Sequence, residues 1–233
     1  MARDPNRERW PEVYRDSPGI FARFAAAEDR GDRVPKELIS LAGLKGARVL
    51  ELGAGTGRWS ASLASASEQW VATEPAEGML SIGARGAGQA AHWLRARSQA
   101  LPFHSGSFER VFAGFVFANL RPKDRAPALE EAQRVMASGA ELWLLENHWE
   151  DDFQDLRRSA GLETHREIAP LVDEFGFEHV STLDTQMEFE SEAAAQEVLG
   201  TILGPLVQAR LQSHPQRRLR HRVCLLRWRA PAA

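Results

Sequence analysis

Apolar positions along this chain follow two periods: short apolar runs of strand length, and longer stretches at helical spacing. Residues 8–28 read as a helical, aromatic-bearing segment broken at Ser17-Pro18-Gly19, and a second helix is expected over 35–44 with Pro35 in its first turn. An alternation follows, with a strand over 47–52, a helix over 57–66, a strand over 69–74 and a helix over 76–84. Strands are also expected over 91–95 and 109–115, on either side of a turn-rich stretch at 102–107. Between 124 and 136, Ala128, Leu129, Ala132, Val135 and Met136 recur at helical spacing, and Ser138-Gly139 is expected to stop that helix before an apolar strand over 140–145. Repeated strand–helix alternation predicts an α/β, doubly wound parallel sheet. The remainder predicts a helical insert (151–175), a strand (177–189), one long helix (191–212) and a final strand (218–229). No internal repeat, low-complexity block or linker interrupts this order.

Composition fits one folding unit. The 233 residues are 43% apolar and 26% charged, with a net charge of −3, enough to bury a core and inconsistent with general disorder. No apolar run approaches the roughly 18 residues of a transmembrane helix. Residues 1–9 are charged and lack the apolar centre of a signal peptide. The single cysteine, Cys224, excludes internal disulfides and a cysteine-based zinc cage. A cytoplasmic location is therefore expected.

Charge is distributed unevenly. All 32 acidic residues lie at or before Glu197, whereas the last 36 residues carry seven arginines and no acid. Such a tail can bind phosphates or another anionic ligand. From Arg218 to Arg229, however, charged and apolar residues partly alternate, as in an outer strand that faces an acidic helix or guards a sheet edge. The structural role is the expected one.

The most specific local signal is Val49-Leu50-Glu51-Leu52-Gly53-Ala54-Gly55-Thr56-Gly57-Arg58-Trp59, a strand running into three alternating glycines and then a helix. Glycine permits the sharp turn and close approach of a ligand, and the helix start supplies unpaired N–H groups. The next strand ends in Thr73-Glu74, and an acid at that tip can accept two hydrogen bonds from a ribose diol. A dinucleotide and S-adenosylmethionine both carry such a diol. Glu51, two positions before the first glycine, would repel a pyrophosphate and attract an ammonium or sulfonium group, which favours S-adenosylmethionine; alternatively it caps loop amides or pairs with an arginine.

Taken together, residues 45–146 resemble the class I S-adenosylmethionine-dependent methyltransferases, in particular the ubiquinone/menaquinone-biosynthesis-like group. Residues 49–57 are similar to the family's first motif, and Glu74-Pro75-Ala76-Glu77-Gly78-Met79-Leu80 to its second. Ala100-Leu101-Pro102-Phe103 with Gly106-Ser107-Phe108-Glu109 resembles the approach to strand four, and Arg134-Val135-Met136-Ala137-Ser138-Gly139-Ala140 the turn into strand five. The resemblance implies a seven-stranded, mostly parallel Rossmann-like sheet with an antiparallel last strand. It implies an N-terminal helical lid (1–44) on a cofactor-binding domain (45–233). By position, Glu51, Gly53, Ala54, Gly55 and Gly57 would surround the methionine half of the cofactor, with Tyr14 near its carboxylate. Glu74 would hold the ribose, Pro75 and Met79 would flank the adenine, and Gln99, Ala100 and Leu101 would meet its edge. Gly114 and Phe115 would meet the amino group. Where relatives carry an acid for the adenine amino group this chain has Ser98, and where they carry His-His after strand four it has Ala118-Asn119.

The implied activity is methylation of a small molecule at oxygen, nitrogen or carbon, releasing S-adenosylhomocysteine. Glu146, Asn147, His148 and Trp149 follow strand five at the expected mouth; His148 is the candidate base, and Asn119 could orient an acceptor. Trp10, Trp149, Phe21 and Phe153 could line an apolar acceptor pocket. His92, His104, His165, His179, His214 and His221 show no metal-ligand spacing, so no metal is expected. The chain lacks the Asn/Asp-Pro-Pro-aromatic turn of amino-methylating DNA enzymes, and Cys224 lies far along the sequence from where a cytosine-methylating thiol would stand. The expected partner is a small-molecule acceptor, with no membrane and no nucleic acid, for a monomer or homodimer. Rival readings are a noncatalytic S-adenosylmethionine-binding subunit or sensor, an RNA or protein methyltransferase using the arginine tail, and a dinucleotide oxidoreductase.

Overall fold

The computed structural model describes residues 9–86, 90–162 and 168–230. Its helices are α1 (Trp10–Asp16), α2 (Pro18–Ala27), α3 (Arg33–Leu41), α4 (Arg58–Leu63, extended by a 3-10 turn to Ala66), α5 (Glu77–Gly86), α6 (Pro122–Val135), α7 (Asp152–Ser159), α8 (Ala169–Asp173), α9 (Glu192–Leu203) and α10 (Pro205–Ser213). Its strands are β1 (Arg48–Leu52), β2 (Gln69–Thr73), β3 (His92–Leu94), β4 (Phe108–Gly114), β5 (Met136–Asn147), β6 (Glu178–Glu188) and β7 (Arg218–Arg229). They form one sheet in the order β3-β2-β1-β4-β5-β7-β6, parallel from β3 to β5, with β7 antiparallel to both its neighbours. This is the doubly wound, seven-stranded sheet expected from the resemblance.

The period of two along each central strand sends alternate side chains into opposite helical layers. Leu50, Leu52, Val111, Ala113, Leu142 and Leu144 pack with Ala128, Ala132 and Val135 of α6. Val49, Trp70, Phe112, Trp143 and Leu145 pack on the other face with Val34 and Leu38 of α3 and Trp59 and Leu63 of α4. A third cluster joins Val13 of α1 and Phe24 and Ala27 of α2 to Phe153 and Leu156 of α7 and to α9.

Three expectations are corrected. The predicted helix over 191–212 is two helices, because Gly204 sits at φ 99° and Pro205 disfavours helical backbone in the residue before it. Ser138-Gly139 does not stop α6, which ends at Val135; instead the pair bulges within β5, where the register against β4 jumps from Met136 to Glu141 and Gly139 has φ 70°. The arginine-rich strand β7 is interior rather than outer, and β6 forms the edge. Its arginines stand directly opposite acids, Arg227 facing Glu178, Arg222 facing Asp184, Arg218 facing Glu188 and Arg229 facing Glu141. The corresponding N–O distances are 2.7, 3.0, 2.9 and 2.9 Å. The basic tail is thus matched across two strands by the acidic excess that precedes it.

Candidate active site

A cleft of about 320 Å3 opens where β1, β2, β4 and β5 end, which is the usual ligand position in an open α/β sheet. Its floor is the glycine loop. Gly53 and Gly55 have φ values of 61° and 59°, and a Cβ on Gly53 would lie 2.7 Å from Val116 Cγ2. Glu74 clamps this loop from the tip of β2. One carboxylate oxygen accepts the Gly55 N–H at 2.9 Å and the other the Ala76 N–H at 2.8 Å. Burial pushes its pKa up while these two donors pull it down. Each oxygen keeps lone-pair capacity for a hydroxyl.

Of the residues expected from sequence, the cleft brings together Tyr14, Gly53, Ala54, Gly55, Glu74, Pro75, Met79, Ser98, Gln99, Gly114, Phe115 and Asn119. Five lie outside its lining. Glu51 shares the β1 face that meets α4, so its carboxyl accepts from Ser60 Oγ and, at 2.8 Å, from Trp70 Nε1. Burial pushes it up to about 7. Gly57 permits helix packing instead: its Cβ would meet Trp93 at 3.1 Å and the Gly83 Cα at 3.2 Å. Ala100 is exposed, and Leu101 is buried in the core with its N–H donated to Glu131 at 2.8 Å. His148 is buried and stacked on Trp149 with ring centroids 4.0 Å apart, its Nδ1 accepting the Glu150 N–H at 3.1 Å. Burial and Arg222 lower its pKa. His165 lies outside the described residues. Among the described residues, no group of three His, Cys, Asp or Glu could hold a metal ion.

The roof is aromatic. Trp10 and Tyr14 of α1, Phe21 and Phe24 of α2 and Phe153 of α7 line the cleft from above. Trp10 meets Phe24 edge-on at 5.1 Å, Tyr14 meets Phe21 at 5.1 Å, and Phe24 lies 5.9 Å from Phe153. Trp149 packs against the main core instead.

Four charged residues of the lining were not expected from sequence: Glu28, Arg58, Arg97 and Arg157. Asn147, one of the four residues at the expected mouth, reaches the cleft where His148 does not, because consecutive residues at a strand end face opposite ways. The buried His221 ring lies behind it, with Nε2 2.9 Å from Asn147 Oδ1. Burial pushes His221 down to about 4, so it is neutral at pH 7. Since Oδ1 can only accept, the His221 proton sits on Nε2, and the Asn147 amide N–H groups remain as donors on the cleft wall.

Residues 49–139 match the family model described as a methyltransferase domain. This segment is thus similar to a methyltransferase domain. The demethylmenaquinone methyltransferase of Clavibacter sepedonicus is 33% identical over 109 residues, 46% of this chain and 44% of that protein. The ubiquinone/menaquinone biosynthesis C-methyltransferase UbiE of Hahella chejuensis is 34% identical over 109 residues, 43% of each chain. The chain thus spans less than half the length of these curated relatives. A solved S-adenosylmethionine-dependent methyltransferase from Aquifex aeolicus shares the fold, with a TM-score of 0.56 at 15% identity over 89% of this chain and 98% of its own.

The cofactor of such a domain is S-adenosylmethionine, and the cleft fits it. Any Cβ on Gly53 or Gly55 would intrude on packed side chains, so the backbone itself forms the cradle. The Glu74 carboxylate is fixed at the strand tip beside it. Among the described residues, no helix is long and apolar enough to cross a membrane.

Proposed function

We propose that this protein is a cytoplasmic S-adenosylmethionine-dependent methyltransferase that acts on a small, partly apolar molecule at oxygen, nitrogen or carbon, with α1 and α2 as its lid. One observation carries the reading: a backbone-built floor and an aromatic roof enclose a single cleft. In this reading Gly53, Ala54, Gly55 and Tyr14 hold the methionine half, and Glu74 takes the ribose hydroxyls. Pro75 and Met79 flank the adenine, Ser98 and Gln99 meet its edge, and Gly114 and Phe115 approach the amino group. When bound, the cofactor supplies an electrophilic methyl group on sulfur. The chain contributes orientation and dryness: the fixed floor sets the direction of approach, and the aromatic side chains exclude water from the acceptor side. The curated relatives are named for menaquinone and ubiquinone biosynthesis, which puts an apolar acceptor first among those to test. The cross-strand pairs of β7 engage arginines that a nucleic-acid reading would need.

Calorimetry with S-adenosylmethionine, S-adenosylhomocysteine and NAD tests this on the wild type, Glu74→Ala and Glu74→Gln. The expected result is micromolar binding of both sulfur ligands, weakened more than about tenfold in Glu74→Ala and less in Glu74→Gln. Binding of NAD in their place would overturn the reading.

A further inference from the structure

We propose that Glu28 receives the proton of the methyl acceptor, and that the acceptor is accordingly a largely apolar molecule carrying an O–H or N–H group. This deepens the reading above and rests on it. Glu28 is the residue that ends α2, and it lines the cleft while only 5% exposed. Among the described residues no hydrogen bond or ion pair reaches its carboxyl. Its oxygens are not sealed in the core either, so the carboxyl presents its hydrogen-bonding capacity to the cleft.

The adjacent acid shows the contrast. Asp29 is 2% exposed, but its carboxylate accepts the N–H groups of Arg33 at 3.0 Å and Val34 at 2.8 Å, and so starts α3. Asp29 holds the structural role and Glu28 does not. The backbone of both is anchored from the floor: Arg58, in the first turn after the glycine loop, donates to the Glu28 and Asp29 carbonyls at 3.3 and 3.1 Å and to Asp32 at 3.1 Å. The guanidinium holds the turn and makes no hydrogen bond to the Glu28 side chain. A carboxyl is thereby fixed in the cleft wall, beneath the rings of the roof, with its hydrogen-bonding capacity kept for a ligand.

The charged and titratable groups around it come from every side of the cleft: Tyr14 from α1, Arg58 from α4, Glu74 from the tip of β2, Arg97 after β3 and Arg157 from α7, with Asp29 beside it and neutral His221 behind Asn147. Burial outweighs the attraction of Arg58 and, helped by Asp29, raises the Glu28 carboxyl from 4.5 to about 8. A group poised near neutrality both gives and takes a proton at working pH. Across the cleft wall the Asn147 amide donates where Glu28 accepts, so the two would fix an acceptor bearing both a proton and a lone pair. In the transfer, the new bond from the acceptor oxygen or nitrogen to carbon forms as the sulfur–methyl bond breaks with its electron pair left on sulfur. The acceptor proton passes to the ionised Glu28 carboxylate and then to solvent.

The test uses the full chain saturated with S-adenosylhomocysteine and three probes of one shape: 2-naphthol, 2-naphthylamine and 2-methoxynaphthalene. Calorimetry in buffers of different ionisation enthalpy also counts the protons taken up or released. The wild type is expected to bind at least one of the first two about tenfold more tightly than the methoxy compound, with a preference that grows between pH 7 and pH 9. Which one it prefers separates oxygen from nitrogen acceptors. Glu28→Leu is expected to abolish the preference, and Glu28→Gln to keep part of it without the pH dependence or the proton exchange. Both variants should bind S-adenosylhomocysteine within about twofold of the wild type, which shows that they are folded. An equal preference in wild type and Glu28→Leu, or no binding of either proton-bearing probe to a wild type that binds S-adenosylhomocysteine, would overturn the proposal. A wild type that binds no S-adenosylhomocysteine would overturn the reading beneath it.

Discussion

The floor and the roof of the cleft are built from different materials. The floor is main chain: positive-φ glycines at 53 and 55, a strand tip, and one carboxylate bridging two N–H groups. The roof is side chain: five rings from three helices, held by edge contacts and by burial of Val13 and Phe24 against α7 and α9. A floor of backbone donors recognises a ligand by shape and polarity whatever residues surround it. A roof of side chains selects by what those side chains are. On the proposed reading, cofactor recognition resides mainly in the floor, with Tyr14 reaching it from the roof, and acceptor choice in the other roof rings, so a substitution among those rings or in the floor should leave the other layer's binding nearly intact.

The largest expected effect is in the roof. Phe24 is 5% exposed and touches Trp10, Phe21 and Phe153, so Phe24→Ala leaves a cavity where three rings met. The expected cost is about 3–5 kcal/mol in urea denaturation. Adenosylhomocysteine affinity is expected to fall by no more than about threefold in the surviving folded protein. A tenfold loss of affinity would show that the two layers are one.

Next comes the buried acid between them. With its ordinary value of 4.5 raised to about 8, Glu28 stays protonated in the folded chain over a range where it ionises in the unfolded one. The unfolded state therefore releases the proton first, so stability falls as pH rises from about 4.5 to about 8 and is level above. Glu28→Gln lacks this loss. It should match the wild type near pH 4 and exceed it by several kcal/mol at pH 9, read as melting temperature against pH. A constant difference across that range would show that Glu28 is not held neutral.

In the floor, Gly53→Ala adds a Cβ at φ 61°, only 2.7 Å from Val116 Cγ2. The left-handed backbone alone costs about 1–2 kcal/mol, and relief by shifting the loop disturbs the Gly55–Glu74 clamp. Adenosylhomocysteine affinity is expected to drop more than about tenfold by calorimetry for a modest fall in melting temperature, the inverse of Phe24→Ala.

The same division explains what was legible in the sequence. The glycine loop, Glu74 and the parallel strands were readable because each is a local signal: a strand run, a turn that needs glycine, an acid at the next tip. Glu51 looked like part of the floor because it adjoins the loop, but the period of two on β1 sends it to Trp70 and Ser60. His148 was preferred to Asn147 because it can carry a proton, although only Asn147 reaches the cleft. Glu28 gave no signal, since an acid after an alanine run at a helix end reads as a solvated cap. It lines the cleft together with Phe153 and Arg58, which come from other parts of the chain.

The smallest expected effect tests a cleft position where this chain departs from the family pattern it resembles. Ser98 is 8% exposed and lines the cleft beside Gln99 and Arg97. A hydroxyl there can accept one hydrogen bond from the adenine amino group, worth about 1 kcal/mol net. Ser98→Ala should weaken adenosylhomocysteine by about fivefold, and Ser98→Asp should strengthen it by a similar factor because a carboxylate accepts a stronger bond. Neither change should move the melting temperature by more than a degree or two, since Ser98 lies in the loop after β3 outside the three apolar clusters. If Ser98→Ala binds as tightly as the wild type, the adenine edge is read by main chain at Gln99, and the floor is backbone-built there too. If Ser98→Asp binds more weakly, the cost of burying a carboxylate exceeds its gain, which gives a physical reason for serine at that position.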